Sequence, residues 1–314
     1  MRNRAVRGLF SAIMTFVLVV GLPSAASAAG GTQSDPPSWA LDRIDQRTGL
    51  DQAYHYDSAA ADVTVYVIDS GVDAKHPDLQ GRVVPGKDFL TEGASAGSDT
   101  SDTNGHGTRV AGIVAGRDYG VAKAAQIFPV RVLDKDGGGS TDAIVAGLNW
   151  VAKNAHQPAV AVLGIGGVPN DQLDKAVSDL AAVVPVVVPA GEGGTDAAEI
   201  SPARVPTALT VGASDVQDQV ASFANFGTPI DLYAPGVDIP APLAGSSDAG
   251  TLSGTSMAAA VAAGAAAVYR AGHPDDSPSA VDTALVQAAT PNVLKNVPSG
   301  TANRLLCTLP APGR

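Results

Sequence analysis

The chain has 314 residues, a formal net charge of −11 and a single cysteine, Cys307. One cysteine excludes an internal disulfide, and so acidic a chain is not expected to bind nucleic acid or an anionic membrane.

The first residues predict a secretory signal peptide over residues 1–28. They contain three arginines, an apolar stretch over 9–22 and small residues ending at Ala28. A membrane anchor is the alternative, but the apolar stretch is short for a span. We therefore expect a secreted, extracellular protein cleaved after Ala28. Its net charge falls from −11 to −14 because the signal holds three arginines and no acid.

Residues 29–37 are rich in Gly, Ser and Pro and predict a linker, so we expect the ordered domain over residues 38–308 and a short tail over 309–314. Apolar, often β-branched runs then alternate with segments of helical spacing. This alternation is typical of an α/β fold with a mostly parallel sheet covered by helices on both faces. The predicted strands cover 62–69, 126–133, 160–165, 183–188, 208–213 and 230–234, and the predicted helices cover 109–115, 141–153, 170–182, 256–271 and 279–289.

Three polar residues stand at the ends of these elements. Ser256 opens an Ala-rich helix, where its hydroxyl can cap the helix or act as a nucleophile whose oxyanion meets its own N–H. Asp69 ends a buried strand and can close a turn or orient a base. His106, flanked by glycines at a helix start, can be a packed side chain or that base. The other four histidines are expected in loops or at the surface. A serine, an imidazole and a carboxylate together make an activated nucleophile.

The segments around these residues carry a family resemblance. Asp69–Asp73, Asn104–Gly112 and Gly254–Ala258 resemble the three signature blocks of subtilisin-like serine peptidases, in that family's order of Asp, His and Ser. The stretch from Trp39 to Arg47 is similar to the start of mature proteinase-K-type members. The resemblance extends from about Trp39 to Leu306 and implies a three-layer, twisted, mostly parallel sheet.

The resemblance also implies roles. Ser256 would be the nucleophile, His106 the general base and then acid, and Asp69 the residue that orients the imidazole. The substrate would be an extended peptide or protein held between two strand-like walls, a mode that reads shape rather than sequence. The first wall would be an edge strand of Gly137, Gly138 and Gly139, and the second wall, with part of the pocket for the residue before the scissile bond, would be Ile165, Gly166 and Gly167.

The family pattern is broken at several positions. Glu192 stands where the family usually has an asparagine whose amide completes the oxyanion hole, and an ionised carboxylate cannot donate that hydrogen bond. Losing one such donor costs about 10²–10³ in turnover. We therefore expect weakened proteolysis, unless the carboxyl is protonated or the loop turns it to solvent. The alternative is a catalytically degenerate pseudo-peptidase that binds peptides or a protein partner. The other departures are Arg109, Val162, Gly164, Ala260 and Val261.

Calcium is the one cofactor that the resemblance implies. In proteinase-K-type relatives one site uses two backbone carbonyls and an aspartate, and the matching positions are Pro206, Ala208 and Asp231. Hard oxygen ligands suit Ca²⁺, although an aspartate before a strand can equally close a turn. No organic cofactor is expected, and a nucleotide site is disfavoured because no G-x-G-x-x-G occurs near the Gly164–Gly167 turn. We expect a monomer.

Overall fold

The computed structural model describes Met1, residues 29–90 and residues 97–309. Residues 2–28 of the predicted signal peptide and residues 310–314 of the predicted tail lie outside them. The α-helices of the described residues are α1 (Trp39–Ile44), α2 (His106–Ala115), α3 (Thr141–Asn154), α4 (Asp171–Ala181), α5 (Thr255–Gly272) and α6 (Pro278–Ala288). Their strands are β1 (Ala29–Ser34), β2 (Ala53–Ser58), β3 (Thr64–Asp69), β4 (Lys87–Asp88), β5 (Gln126–Arg131), β6 (Ala159–Leu163), β7 (Val186–Pro189), β8 (Leu209–Ser214), β9 (Leu232–Pro235), β10 (Ile239–Pro242), β11 (Ala249–Leu252), β12 (Thr290–Pro291) and β13 (Arg304–Leu305).

One nine-stranded sheet organises the described residues, in the order β12-β13-β9-β8-β7-β6-β3-β5-β4. From β13 to β4 every neighbouring pair is parallel, and only β12 runs antiparallel to its neighbour. Two small antiparallel pairs, β1 with β2 and β10 with β11, stand apart from it. The predicted mostly parallel α/β sheet is therefore confirmed.

Helices cover both faces of the sheet. Successive side chains of a strand point to opposite faces, so each strand contributes to two separate cores. In β3, Val65 and Val67 pack in the core that holds α2 and α5, whereas Tyr66 and Ile68 pack in the core that holds α3 and α4. This gives the three layers of helix, sheet and helix.

Helix α5 lies at the centre of its layer, against β6, β7, β8 and β9. Every residue from Met257 to Ala267 is buried, and most are alanines, which favour helix and let the helix axis approach the sheet closely. Ala260 and Val261 continue this helix without a break. Because α5 begins at Thr255, its first turn presents Ser256 at the edge of the sheet, as the sequence predicts.

Two local predictions were wrong. Residues 29–34, predicted as part of a linker, form β1 and pair with β2. Gly30 and Gly31 have low β-propensity, so the local sequence does not predict a strand here. The pairing with β2 stabilises it instead. His76, predicted as a solvated loop or surface residue, lies in a loop but is 3 % exposed, and its ring lies between the Asp248 carbonyl and the Asp78 N–H. Cys307 is buried and free. Within the described ranges, no helix is both long and apolar enough to cross a membrane.

Candidate active site

A buried carboxylate holds the imidazole of His106. Asp69, the last residue of β3, is fully buried, and each of its two carboxylate oxygens lies 2.9 Å from His106 Nδ1. The Ser70 N–H donates to Asp69 Oδ1 at 2.7 Å and fixes the carboxylate plane. The predicted helix covers 109–115, but α2 begins at His106, so the first residue of the helix carries the imidazole. The arrangement assigns the proton to Nδ1 and leaves Nε2 as the acceptor nitrogen.

Several charges act on this imidazole. Burial on its own lowers the pKa of His106, but the charge and hydrogen bond of Asp69, followed by the charges of Asp102 and Glu192, outweigh it and raise that pKa. The cationic form of the ring is therefore stabilised. This suits a group that must carry a proton during a reaction.

Asp102 builds the turn that presents His106, a role that the sequence did not reveal. Its Oδ1 accepts from Ser70 Oγ, Asn104 N and Gly105 N at 2.8–3.1 Å, and its Oδ2 accepts from the N–H and hydroxyl of Thr108 at 2.9 and 2.6 Å. One carboxylate thus ties the end of β3 to the start of α2. Asp102 lies four residues before the start of α2, outside the capping position that Gly105 holds, so no local rule marks it in the sequence.

Two glycines let the backbone approach this pair. A Cβ on Gly107 would lie 2.2 Å from the Gly71 carbonyl oxygen, so only glycine allows α2 to begin against the end of β3. A Cβ on Gly164 would lie 1.8 Å from Asp69 Oδ2 and 2.8 Å from His106 Cε1. Gly164, a departure from the family pattern, is therefore packed directly against the carboxylate and the imidazole.

Ser256 lines a cavity of about 300 Å³ at the carboxyl ends of the strands. It is the second residue of α5, so its N–H belongs to the first helical turn, whose N–H groups have no intrahelical acceptor. Helix α5 packs against α2, which carries His106. Within the described part of the chain, no hydrogen bond joins Ser256 Oγ to the imidazole. Catalytic hydrogen bonds are often long without substrate. The cavity is lined by Gly166, Gly167, Pro189, Gly191, Glu192, Ile200, Thr255 and Ser256.

Glu192 lies at the mouth of this cavity. Its side chain is exposed, and its Oε1 accepts a hydrogen bond from the Thr255 N–H at 3.1 Å. Helix α5 has no cap from Gly254, so the Glu192 carboxylate serves as its cap from another segment. The carboxylate therefore sits one residue from Ser256, at the positive end of the helix that carries the hydroxyl.

The two predicted substrate walls differ in the structure. Gly166 and Gly167 line the cavity, whereas Ile165 belongs to the buried core, and Gly167 forms a short antiparallel bridge with Ser201. Gly137, Gly138 and Gly139, predicted as an edge strand, lie in an exposed turn. Asp134 N donates to the Gly138 carbonyl, and Gly138 N donates to Asp134 Oδ1. Asn104 Nδ2 donates to the Lys135 carbonyl and links this turn to the His106 segment.

Two further departures from the family pattern, Arg109 and Val162, lie away from the cavity beside Ser256. Arg109, one turn along α2 from His106, donates to the Gly250 carbonyl at 3.3 Å and so reaches β11. Val162 is fully buried in β6. Neither residue lines the cavity beside Ser256.

The predicted calcium residues meet at a second cavity of about 700 Å³. Pro206, Ala208 and Asp231 all line it, together with Asp282 of α6. Asp231 Oδ2 accepts from the Thr210 N–H, and burial raises the pKa of Asp231. Burial and then the charge of Asp231 raise the pKa of Asp282 to about 7, and its Oδ1 is buried without a hydrogen-bond partner.

This donor set fits a hard cation. Two neighbouring carboxylates in one cavity repel each other, and a divalent ion would relieve that repulsion and satisfy the free oxygen. Sequence reasoning missed Asp282, because it lies 51 residues from Asp231 and nothing local marks it. Among the described residues, no group of three or more His, Cys, Asp or Glu side chains could hold a metal on its own. Any ion here would therefore depend on backbone carbonyls and water.

Comparisons with known proteins identify relatives that are named serine proteases. The chain is 48% identical over 276 residues to the extracellular serine proteinase of Thermus sp. (strain Rt41A), covering 87% of this chain and 66% of that protein. It is 43% identical to the alkaline serine exoprotease A of Vibrio alginolyticus, covering 86% of this chain and 50% of the relative. The chain thus spans about half to two thirds of these relatives' lengths. A crystal structure of a cold adapted subtilisin-like serine proteinase matches with a TM-score of 0.84 and 41% identity, covering 88% of this chain and 99% of that one.

A model of the subtilase family matches residues 60–305. That range contains Asp69, His106, Ser256 and the whole parallel sheet from β3 to β13. The match covers well over half of the chain, and the structural likeness supports the same fold. The chain belongs to the subtilase family.

Proposed function

We propose that this chain is a serine endopeptidase that hydrolyses peptide bonds through an acyl-enzyme. The observation that carries the proposal is the pairing of His106 Nδ1 with both oxygens of the buried Asp69 carboxylate. That pairing keeps Nε2 free to take a proton from the Ser256 hydroxyl. The names of the relatives, which include an extracellular serine proteinase, support the same reaction.

The residues act in two half-reactions. Ser256 Oγ gives its proton to His106 Nε2 and bonds to the substrate carbonyl carbon, and the carbonyl oxygen becomes an oxyanion. The imidazolium then protonates the leaving nitrogen as the C–N bond breaks, which leaves an ester on Ser256. Water attacks this ester while His106 takes its proton, and that proton returns to Ser256 Oγ as the acid leaves. Asp69 stabilises the imidazolium in both steps.

We expect this enzyme to stabilise the oxyanion only weakly. The Ser256 N–H is one donor to the oxyanion, and the family's second donor is replaced by the Glu192 carboxylate. A carboxylate withholds a hydrogen bond worth about 10²–10³ in turnover and adds repulsion. We therefore expect slow proteolysis of peptides and proteins, with Gly166 and Gly167 as one wall of the substrate site and the turn at Gly137, Gly138 and Gly139 as the other.

A pseudo-peptidase is the second candidate, and one observation favours it. The Glu192 carboxylate already occupies the Thr255 N–H beside Ser256, close to where the oxyanion's charge would develop. A chain of this kind would keep the peptide groove for binding while the chemistry is lost.

Hydrolysis of a fluorescein-labelled casein separates the two candidates. The endopeptidase predicts release of small labelled fragments by the wild type and none by Ser256→Ala purified in parallel. Intact casein that nevertheless binds the wild type with a measurable Kd identifies the pseudo-peptidase. Circular dichroism of both proteins checks that the fold is retained.

We also propose that Pro206, Ala208 and Asp231 hold a structural Ca²⁺. The ion, when bound, supplies a positive charge that links the segment before β8, the start of β9 and, through Asp282, helix α6. Asp231 contributes the charged ligand, and backbone carbonyls contribute neutral ones. This ion has no place in the peptide chemistry, because its cavity does not share residues with the cavity beside Ser256.

We infer an extracellular place of action, since relatives bear extracellular names and the first residues predict a signal peptide. The partners expected are peptide or protein substrates rather than nucleic acid or membrane, and the protein is expected to act as a monomer. The mature protein is strongly acidic, which favours encounter with cationic substrates.

A further inference from the structure

The cavity beside Ser256 is lined mostly by glycine and apolar residues and carries one charged side chain. Eight described residues line it, and Glu192 is the only ionisable side chain among them. Three glycines, Gly166, Gly167 and Gly191, leave the walls without side chains. Pro189 and Ile200 add apolar surface. A long unbranched side chain could therefore lie along apolar walls and end beside a carboxylate.

The Glu192 carboxylate is positioned for such a partner. Oε1 is held by the Thr255 N–H, so the group stays at the end of α5 rather than sweeping through solvent. The side chain is exposed, so a second ligand can approach it. Neutral backbone donors orient a carboxylate without cancelling its charge, and its free lone pairs still attract a cation.

The same charge acts on the catalytic residues. It adds to the charges of Asp69 and Asp102 at the His106 ring, and it lies one residue from Ser256. With an uncharged substrate it therefore opposes the oxyanion. With a cation beside it, the net charge next to the oxyanion is close to zero.

Building on the proposed peptidase function, we propose that Glu192 makes this site selective for lysine or arginine before the scissile bond. The aliphatic part of that side chain packs on Pro189 and Ile200, and its charged end pairs with the carboxylate. The pair serves binding, and it also removes the repulsion that Glu192 exerts on the oxyanion. The substrate thus supplies the positive charge that the site lacks.

Binding to the inactive Ser256→Ala variant tests the proposal without any chemistry. Three fluorescein-labelled peptide amides are compared by anisotropy; they are identical except at one residue, which is lysine, norleucine or glutamate. Norleucine matches the lysine stem without the charge. We expect lysine to bind about tenfold more tightly than norleucine, the effect of one close charge pair, and glutamate to bind most weakly.

Two double variants test whether Glu192 causes this difference. Ser256→Ala/Glu192→Gln is the test, and Ser256→Ala/Glu199→Gln is its control. Glu192→Gln keeps the shape of the side chain and removes the charge, so the lysine and norleucine peptides should bind equally. Glu199 lies in the nearby 3₁₀ helix Ala197–Glu199, is exposed and does not line the cavity. The same loss of one negative charge there should leave the tenfold ratio unchanged. Equal binding of lysine and norleucine to Ser256→Ala, or an unchanged ratio after Glu192→Gln, would overturn the proposal.

Kinetics on the active chain provide a second readout. With matching peptide p-nitroanilides, Glu192→Gln should raise kcat for the norleucine substrate at least tenfold more than it raises kcat for the lysine substrate. Equal increases for both substrates would contradict the charge-offset part of the proposal. If no substrate is cleaved, the peptidase function fails, while the binding experiment still decides whether Glu192 selects cations.

Discussion

Replacing Glu192 by asparagine should raise activity and lower stability in the same protein. The asparagine side chain is one methylene shorter, too short to keep the present contact with the Thr255 N–H, and its amide could donate where the oxyanion forms. Losing a helix cap costs about 0.5–2 kcal/mol. In domains of about 150–250 residues, about 1 kcal/mol corresponds to roughly 2–4 °C in Tm, and the shift is somewhat smaller in a longer chain such as this one. We therefore expect Tm to fall by a few degrees.

The expected gain in turnover follows from the same contact. One oxyanion donor is worth about 10²–10³, and the variant adds a donor and removes a charge beside Ser256. Because the loop need not reach ideal geometry, we expect kcat on a neutral peptide to rise between about tenfold and a thousandfold, measured at pH 8 under saturating substrate. Differential scanning calorimetry on the same samples gives the change in Tm.

Glu199→Asn is the matched control, since it removes the same charge from an exposed residue that does not line the cavity. Its kcat and Tm should stay at wild-type values. An unchanged kcat for Glu192→Asn would show that Glu192 does not act on the oxyanion. If Tm fell nonetheless, Glu192 would act as a helix cap and nothing more.

Three other predictions concern the pKa of His106, the packing of Gly164 against Asp69, and the binding of calcium. His106 must be neutral to accept a proton, and Glu192 contributes to its raised pKa, so Glu192→Gln should move the acid limb of the kcat/KM profile to lower pH. Gly164→Ala should lower kcat by about a hundredfold, because the new Cβ would displace the Asp69 carboxylate that orients the ring. Calcium at a hundredfold excess over its Kd should stabilise the wild type by about 2.7 kcal/mol, seen as a raised Tm, and Asp231→Asn should abolish that rise.

Each of these has a comparison that can contradict it. An acid limb that moves by the same amount in Glu199→Gln would mean that overall charge, not Glu192, sets it. Gly166→Ala places a Cβ with no atom within 4 Å, so it should fold normally and keep the base geometry, and full activity in Gly164→Ala would refute the packing argument. For calcium, an identical wild-type Tm in EDTA and in excess Ca²⁺ would count against the site.

The main elements were predictable because their signals are local. The β-branched run ending in Asp69 and the alanines after Ser256 specify a buried strand and a buried helix through periodicity and propensity alone. Both residues then stand at the ends of elements, where a sheet with parallel strands gathers its functional groups. The same reasoning predicted a helix over 109–115, and α2 begins three residues earlier, at His106.

The features that could not be predicted from the sequence depend on contacts between segments that lie far apart along the chain. The glycine-rich β1 is a strand only because β2 pairs with it, and His76 is buried because the Asp248 carbonyl, 172 residues away, accepts from its ring. Asp102 accepts five hydrogen bonds, yet no composition rule ranks it above other loop aspartates. The orientation of Glu192 toward Thr255 required the spatial approach of two segments 63 residues apart.

Covalent labelling of the intact chain by a fluorophosphonate, located by peptide mass spectrometry, shows directly whether Ser256 is an activated nucleophile. We expect one label per molecule, on Ser256, at pH 8. We expect no label in Ser256→Ala and strongly reduced labelling in His106→Ala, with all three proteins folded by circular dichroism. A folded wild-type protein that takes up no label between about pH 5 and 9, or takes it up on another residue, would contradict the claim that Asp69, His106 and Ser256 form an activated nucleophile.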